Sequence, residues 1–202
     1  MLFRSLAGVT GPVVLWGHCG GASVAVEVAA LLEAAGRDLR HVVLAAKLLP
    51  TVAEMTGAIA ELDRSTDADV IRWMVGESGY TGLDGLDQAE VGTLARSFRH
   101  DVDGGHRYFL DLCAAQDRHR LAAPITVVAA KDDPLTAEYP KAHRRWGLIT
   151  DDLRLRELAD GGHYFISTNA PAAAALAAEL FAADYPGALG EPSTSWSGKG
   201  GE

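Results

Sequence analysis

The chain has 202 residues, 48% of them hydrophobic, and a formal net charge of −9. That is enough apolar material for the core of one domain, and the acidic balance argues against a nucleic-acid binder or a protein of anionic membrane surfaces. No apolar run is long enough to span a bilayer, the first eleven residues lack a signal-peptide pattern, and two cysteines do not make a disulfide framework, so a cytosolic (cytoplasmic) setting is expected.

Pro12 to Trp16, PVVLW, is a short continuous apolar run, as expected of a strand buried on both faces. GASVAVEVAALLEAAG (residues 21–36) reads as a buried helix with Gly36 at the position just past its end. HVVLAAK (41–47) is a second buried strand. From Leu49 to Arg120 the pattern turns amphipathic and helical, as in TVAEMTGAIAELDR and AEVGTLARSF, with a break at GESGYTGLDGLDQ (76–88). This is too long for a simple crossover, so a helical lid over one end of the sheet is expected at about residues 50–120. ITVVAAK (125–131) is a third buried strand. LRLREL (153–158) alternates apolar and polar residues, the pattern of an edge strand with one wet face. PAAAALAAELFAAD (171–184) is a helix with proline in its first turn. Strands separated by helices predict an α/β fold with a parallel, doubly wound sheet across residues 1–184. The tail at 185–202, rich in Gly, Ser and Pro, is expected to be disordered.

Between the first strand and the first helix stands GHCGG, G-x-C-x-G, residues 17–21. Strand, sharp turn and helix are the context of a nucleophile elbow, with cysteine in place of serine. Gly17 and Gly21 are expected to allow close approach of strand and helix. Cys19 would project from the strand's C-terminal end, the helix N-terminus would favour its thiolate, and the Gly20 N–H would face a developing oxyanion. The bland alternative is a buried structural cysteine. Two further stretches weaken it. The third strand runs into KDDPLT, with Asp132 and Asp133, and the fourth into ADGGHYF, with His163. A turn before Pro134 and a satisfied loop histidine would explain each alone. Together they give nucleophile, acid and histidine in the chain order of the α/β-hydrolase triad, all at strand C-terminal ends, where parallel sheets bind ligands.

These residues carry a family resemblance. GHCGGASVAVEVAALLEAAG, FRHDV and RYF in the lid, PITVVAAKDDPLT and GGHYFI make the chain similar to the thioesterases of nonribosomal peptide and polyketide biosynthesis, from Pro12 to about Ala183. The resemblance implies an α/β-hydrolase fold with a helical lid. It implies Cys19 as nucleophile, His163 as base and Asp133 as acid, since the family shows Gly-x-x-Asp there; Ala130 stands at the glycine position, and Asp132 is the fallback. It further implies transfer of an acyl or peptidyl chain from a carrier protein's phosphopantetheine thioester to Cys19, then release by hydrolysis or cyclisation, with no metal and no other cofactor.

Two features depart from the family. Most members use serine, and a cysteine would give a more activated acyl-enzyme. The family's N-terminal strands and the loop supplying a second oxyanion N–H are not apparent in the sequence. The strand at Val13 to Trp16 would then be an exposed edge open to self-association, and this short chain a weak catalyst. Two other readings compete: a cysteine α/β-hydrolase of the dienelactone hydrolase kind, which would prefer small lactones, and a non-catalytic remnant or interaction partner, which would turn over nothing.

Three other features have plain explanations. HDVDGGH (100–106) gathers His and Asp without calcium-loop or zinc spacing, and a solvated lid loop is expected. Cys113 has apolar neighbours and no glycine elbow, which points to packing. Lys141, His143, Arg144 and Arg145 read as a solvated helix face, or alternatively as a contact for an acidic carrier protein.

Overall fold

The computed structural model describes residues 11–115 and 120–184. The disorder expected at 185–202 falls outside them. Strand β1 (Val13–His18) leads into helix α1 (Gly21–Ala34) and strand β2 (Leu39–Ala45). Three lid helices follow, α2 (Val52–Arg64), α3 (Asp67–Gly76) and α4 (Gln88–Ala114). Strand β3 (Ile125–Ala130), a short 3-10 turn at Pro134–Thr136, helix α5 (Tyr139–Ala142) and a 3-10 segment at His143–Leu148 come next. Strand β4 (Leu153–Leu158), helix α6 (Phe165–Thr168) and helix α7 (Ala170–Asp184) complete the described chain.

The four strands form one parallel sheet in the order β1-β2-β3-β4. The α/β class and the parallel sheet are as expected, with β4 at one edge. Among the described residues β1 is the other edge. The apolar runs of β2 and β3 reflect burial on both sides. Val42, Leu44, Ile125 and Val127 point into a cluster with α1, Phe109 and Trp146, while Val43, Ala45, Val128 and Ala130 point to Phe165 and α7. Side chains alternate across a strand, so a sheet covered on both faces needs an apolar residue at every position. Two polar residues in this core satisfy each other: His41 Nε2 and Thr126 Oγ1 lie 2.8 Å apart.

Helix ends follow local chemistry. Gly36, at φ +65, closes α1: its N–H donates to Glu33 O and that of Arg37 to Leu32 O, the paired bonds of a Schellman stop. Each of the three lid helices opens on a reciprocal capping box, Thr51 with Glu54, Thr66 with Asp69, and Asp87 with Glu90. Such a cap is worth about 1 kcal/mol, which helps amphipathic helices with few buried residues persist over the sheet. Residues 100–106, expected as a lid loop, lie instead inside α4. The Asp103–Arg107 pair, 2.8 Å apart and one turn along, supports the helix there. Gly105 faces Ser23 of α1, where a Cβ would be 3.5 Å from its Oγ. Gly105 thus lies where α4 packs on α1. No helix among the described residues is long and apolar enough to cross a membrane.

Candidate active site

β1 ends at His18, and Cys19 follows at φ +50, a left-handed conformation rare for a residue with a side chain. The turn is tight because strand and helix nearly touch. A Cβ on Gly17 would lie 2.7 Å from both Ala25 Cβ and Gly21 O. Gly17 therefore has the role expected of it. Gly21 does not, since a Cβ there would meet nothing within 4 Å; it begins α1 with its exposed side outward. Gly20 caps α1 beside the Cys19 thiol. The elbow is held to the sheet by Cys19 N–H donating to Ala45 O at 2.8 Å.

The two aspartates after β3 divide the work. Asp133 is buried and its Oδ2 accepts from His163 Nδ1–H at 3.0 Å and from Thr136 Oγ1 at 2.8 Å, while Oδ1 accepts from Leu135 N–H at 2.9 Å. Asp132 makes no bond to the imidazole. Its two oxygens accept from Gly161 N–H at 3.1 Å and Gly162 N–H at 2.9 Å. Both glycines have positive φ, and a Cβ on Gly161 would lie 2.7 Å from Phe165 Cβ, so the glycine pair is required to bring the histidine under the clamp.

His163 is buried with Nδ1 toward Asp133, leaving Nε2 without a hydrogen bond of ordinary geometry among the described residues. Cys19 and His163 are nevertheless close enough to shift each other. Burial works against the imidazolium, but Asp133 and Cys19 outweigh it and push His163 up to about 9. Burial raises the Cys19 thiol, but His163, the Lys47 ammonium and the Gly20 N–H prevail and lower it below its usual range. Burial also raises the Asp133 carboxyl, and His163, Thr136 and Leu135 N–H lower it further than burial lifts it. The resting state these shifts favour is a thiolate–imidazolium pair backed by a carboxylate.

Cys19 and His163 open onto a cleft of about 830 Å³. Its far wall is the lid, with Leu62 of α2, Trp73 of α3, and Phe98 and His106 of α4. Arg145, one of the four basic residues considered above, reaches the lid: it pairs with Glu54 at 3.2 Å and donates to Leu49 O at 3.2 Å. Lys141 and Arg144 are exposed, and His143 donates from Nδ1 to Tyr139 O at 2.7 Å. Cys113 is half-buried against the α1-side core, as expected for packing. No group of three or more His, Cys, Asp or Glu suited to a metal occurs among the described residues.

Two residues of the site, His18 and Lys47, carry no signal of their own in the sequence, and a third, His106, appears there only within a stretch expected as a solvated loop. His18 bonds the histidine loop, Lys47 lines the cleft, and His106 faces it from α4. His18 was visible as the variable residue of the elbow. His106 belongs to the stretch expected as a solvated loop, and Lys47 to the stretch expected as a buried strand, which in the structure ends at Ala45.

Fold and geometry together define an α/β-hydrolase-fold protein with cysteine, histidine and aspartate gathered at the C-terminal end of its sheet. The chain belongs to the thioesterase domain family, matching it over residues 7–180. A Streptomyces griseus protein described as a probable cadicidin biosynthesis thioesterase is 31% identical over 156 residues, covering 77% of this chain and 40% of that protein. The chain therefore spans less than half the length of this relative. The thioesterase of the prodiginine pathway of Streptomyces coelicolor superposes with a TM-score of 0.66 at 23% identity, over 88% of this chain and 68% of that one. The type II thioesterase of the borrelidin biosynthetic cluster gives 0.63 at 24% identity, over 89% and 69%. At these identities the two structures speak for the fold.

Proposed function

We propose that this chain is a thioester hydrolase that removes acyl or peptidyl chains from the phosphopantetheine arm of a carrier protein in nonribosomal peptide or polyketide biosynthesis. The observation that carries the reading is Cys19 at positive φ, coupled to a His163 whose other nitrogen is bonded to Asp133, at the floor of a lidded cleft. Family membership and the biosynthetic assignment of the Streptomyces griseus relative support it.

In this mechanism the Cys19 thiolate attacks the thioester carbonyl, and the Gly20 N–H donates to the oxyanion. His163 gives its proton to the departing pantetheine sulfur, and the acyl group stays on Cys19. His163, now neutral, takes a proton from water as it attacks, and collapse of the second tetrahedral species releases the carboxylic acid and the thiol. Asp133 keeps the imidazole in the tautomer that points Nε2 at the sulfur and stabilises its charged form. A nucleophile within the chain itself could replace water and give a ring.

The test is mass spectrometry of the intact protein after mixing with an acyl-pantetheine thioester, with peptide mapping. An acyl adduct on Cys19, lost with time and absent from Cys19→Ala, supports the reading. An adduct on Cys113 alone, or none while Cys19 alkylates readily, overturns it.

A further inference from the structure

Besides His163, which pairs with Asp133, one lysine and two arginines among the described residues line the cleft, and both arginines are neutralised: Arg72 pairs with Asp69 at 2.7 Å and Arg145 with Glu54 at 3.2 Å. Lys47 forms no ion pair with a carboxylate among the described residues. The backbone puts it there. Ala46 follows β2 at φ +51, and the turn sends Lys47 to the cleft, where its carbonyl accepts from Trp146 Nε1–H at 3.2 Å. Its Nζ lies 6.0 Å from the centroid of the Phe109 ring, a weak partner for a cation. Burial acts against the ammonium, and the charge that supports it is the Cys19 sulfur. His106, across the cleft, offers none: burial and the Lys47 charge push it down to about 4, so it is neutral near pH 7.

Acylation removes that support. A thiolate becomes a neutral thioester, and Lys47 is left as a partly buried charge without a counter-ion, an unfavourable state. A carboxylate on the bound chain would restore the balance. The acids Glu61, Glu77 and Glu138 at the cleft rim are exposed, where solvent and salt screen them from such a chain.

We propose that Lys47 is a specificity-determining residue that favours acyl chains bearing a carboxylate, with which it pairs once the chain is on Cys19. The inference rests on the thioesterase reading above. Two measurements test it. Iodoacetate and iodoacetamide alkylate the same thiolate and differ in charge, so the ratio of their rates at Cys19 cancels any change in thiolate fraction. Lys47→Met is expected to lower that ratio by roughly tenfold or more, the usual weight of a charged hydrogen-bonded contact. Lys47→Arg retains it, and Arg64→Met, an exposed lid residue outside the cleft, leaves it unchanged. In turnover, the kcat/KM ratio of succinyl-pantetheine to its neutral methyl ester is expected to fall roughly 10- to 100-fold in Lys47→Met. Both ratios unchanged, with both thioesters turned over, overturns the role of Lys47 and leaves the thioesterase reading standing. Turnover of neither thioester by the unaltered protein overturns both.

Discussion

His18 Nε2–H donates to the carbonyl oxygen of His163 at 2.8 Å, joining the loop that carries the thiol to the loop that carries the imidazole. A carbonyl has no proton to give, so the bond fixes the His18 tautomer. Burial lowers the His18 pKa despite that bond, keeping the ring neutral. Its ring stacks on Tyr164 and meets Phe165 edge-on. Together with the Asp132 clamp, the histidine loop is bonded through two N–H groups and one carbonyl, each partner from a different strand end.

His18→Phe keeps a ring in this packing and removes the donor. The unpaired carbonyl is expected to cost about 1–2 kcal/mol in thermal or urea unfolding. A displaced imidazole is expected to lower kcat by about tenfold or more with a much smaller change in KM, because it acts on the chemical step. Loss of stability with kcat intact would make His18 a structural residue only.

The adjacent aspartates should separate in the same assays. Asp133→Asn leaves the shape of the buried site but takes away the charge that holds His163 protonated, and a loss on the order of 10²–10⁴ in kcat is expected. Asp132→Asn turns an amide toward one of two backbone N–H donors. Its main effect is expected to be on stability, about 1–3 kcal/mol, with a smaller loss in rate. Equal kinetic damage from both would mean that loop position and imidazole charge are inseparable here.

The pH behaviour follows from the raised His163 pKa. His163 is pushed from 6.5 to about 9, so the stability it contributes is complete below about 6.5 and is lost as pH rises through about 9. Cys19 is lowered, so its contribution runs the other way, present at high pH and lost as the thiolate is protonated. NMR titration of His163 is expected to show a midpoint near 9, and Cys19→Ala or Asp133→Asn to shift it down, since each removes a cause of the elevation. A midpoint at the ordinary histidine value in the unaltered protein would dissolve the ion pair. Cys19 alkylation by iodoacetamide should move to higher pH in His163→Ala.

Much of this was readable before the structure. The doubly apolar strands, the Gly36 stop and the order of Cys19, Asp133 and His163 are local or spacing signals, and the fold uses them directly. The fallback between Asp132 and Asp133 could not be resolved from sequence, because both side chains leave one turn in different directions and their partners are thirty residues away. Lys47 and His106 were missed for a related reason. Each takes its meaning from a lid that packs from another part of the chain, and Gly105 marks a helix contact rather than a helix end. Tertiary packing overrode propensity there.

The elbow glycines make opposite predictions from the same residue type. Gly17→Ala puts a Cβ 2.7 Å from Ala25 Cβ and from a backbone oxygen, so strand and helix must separate; a loss of about 1–3 kcal/mol is expected. Gly21→Ala meets nothing and begins a helix, with a gain of about 0.4–1 kcal/mol expected from the unfolded state. Melting curves of the two variants suffice, and equal destabilisation would contradict the close approach.

The last prediction concerns strain at the thiol itself. Cys19 and Ala46 both sit near φ +50, where the Cβ crowds the backbone at a cost of about 1–2 kcal/mol. At an ordinary helix or strand position, alanine is the more stable choice over glycine by roughly 0.5–1 kcal/mol. At position 19 the order should invert: Cys19→Gly is expected to be more stable than Cys19→Ala by about 1 kcal/mol. Ala46→Gly should likewise gain stability, because the site holds Lys47 at the cleft through the same conformation. The two cases differ in what is lost. Cys19→Gly forfeits the proposed nucleophile, so the strain would be the condition for presenting sulfur to His163 from the end of β1. Ala46→Gly keeps every proposed site residue, and its effect should appear as a looser Lys47, read as a lower iodoacetate-to-iodoacetamide ratio at Cys19. If Cys19→Ala is the more stable of its pair, the left-handed turn is not strained, and the elbow is simply a turn that any residue can occupy.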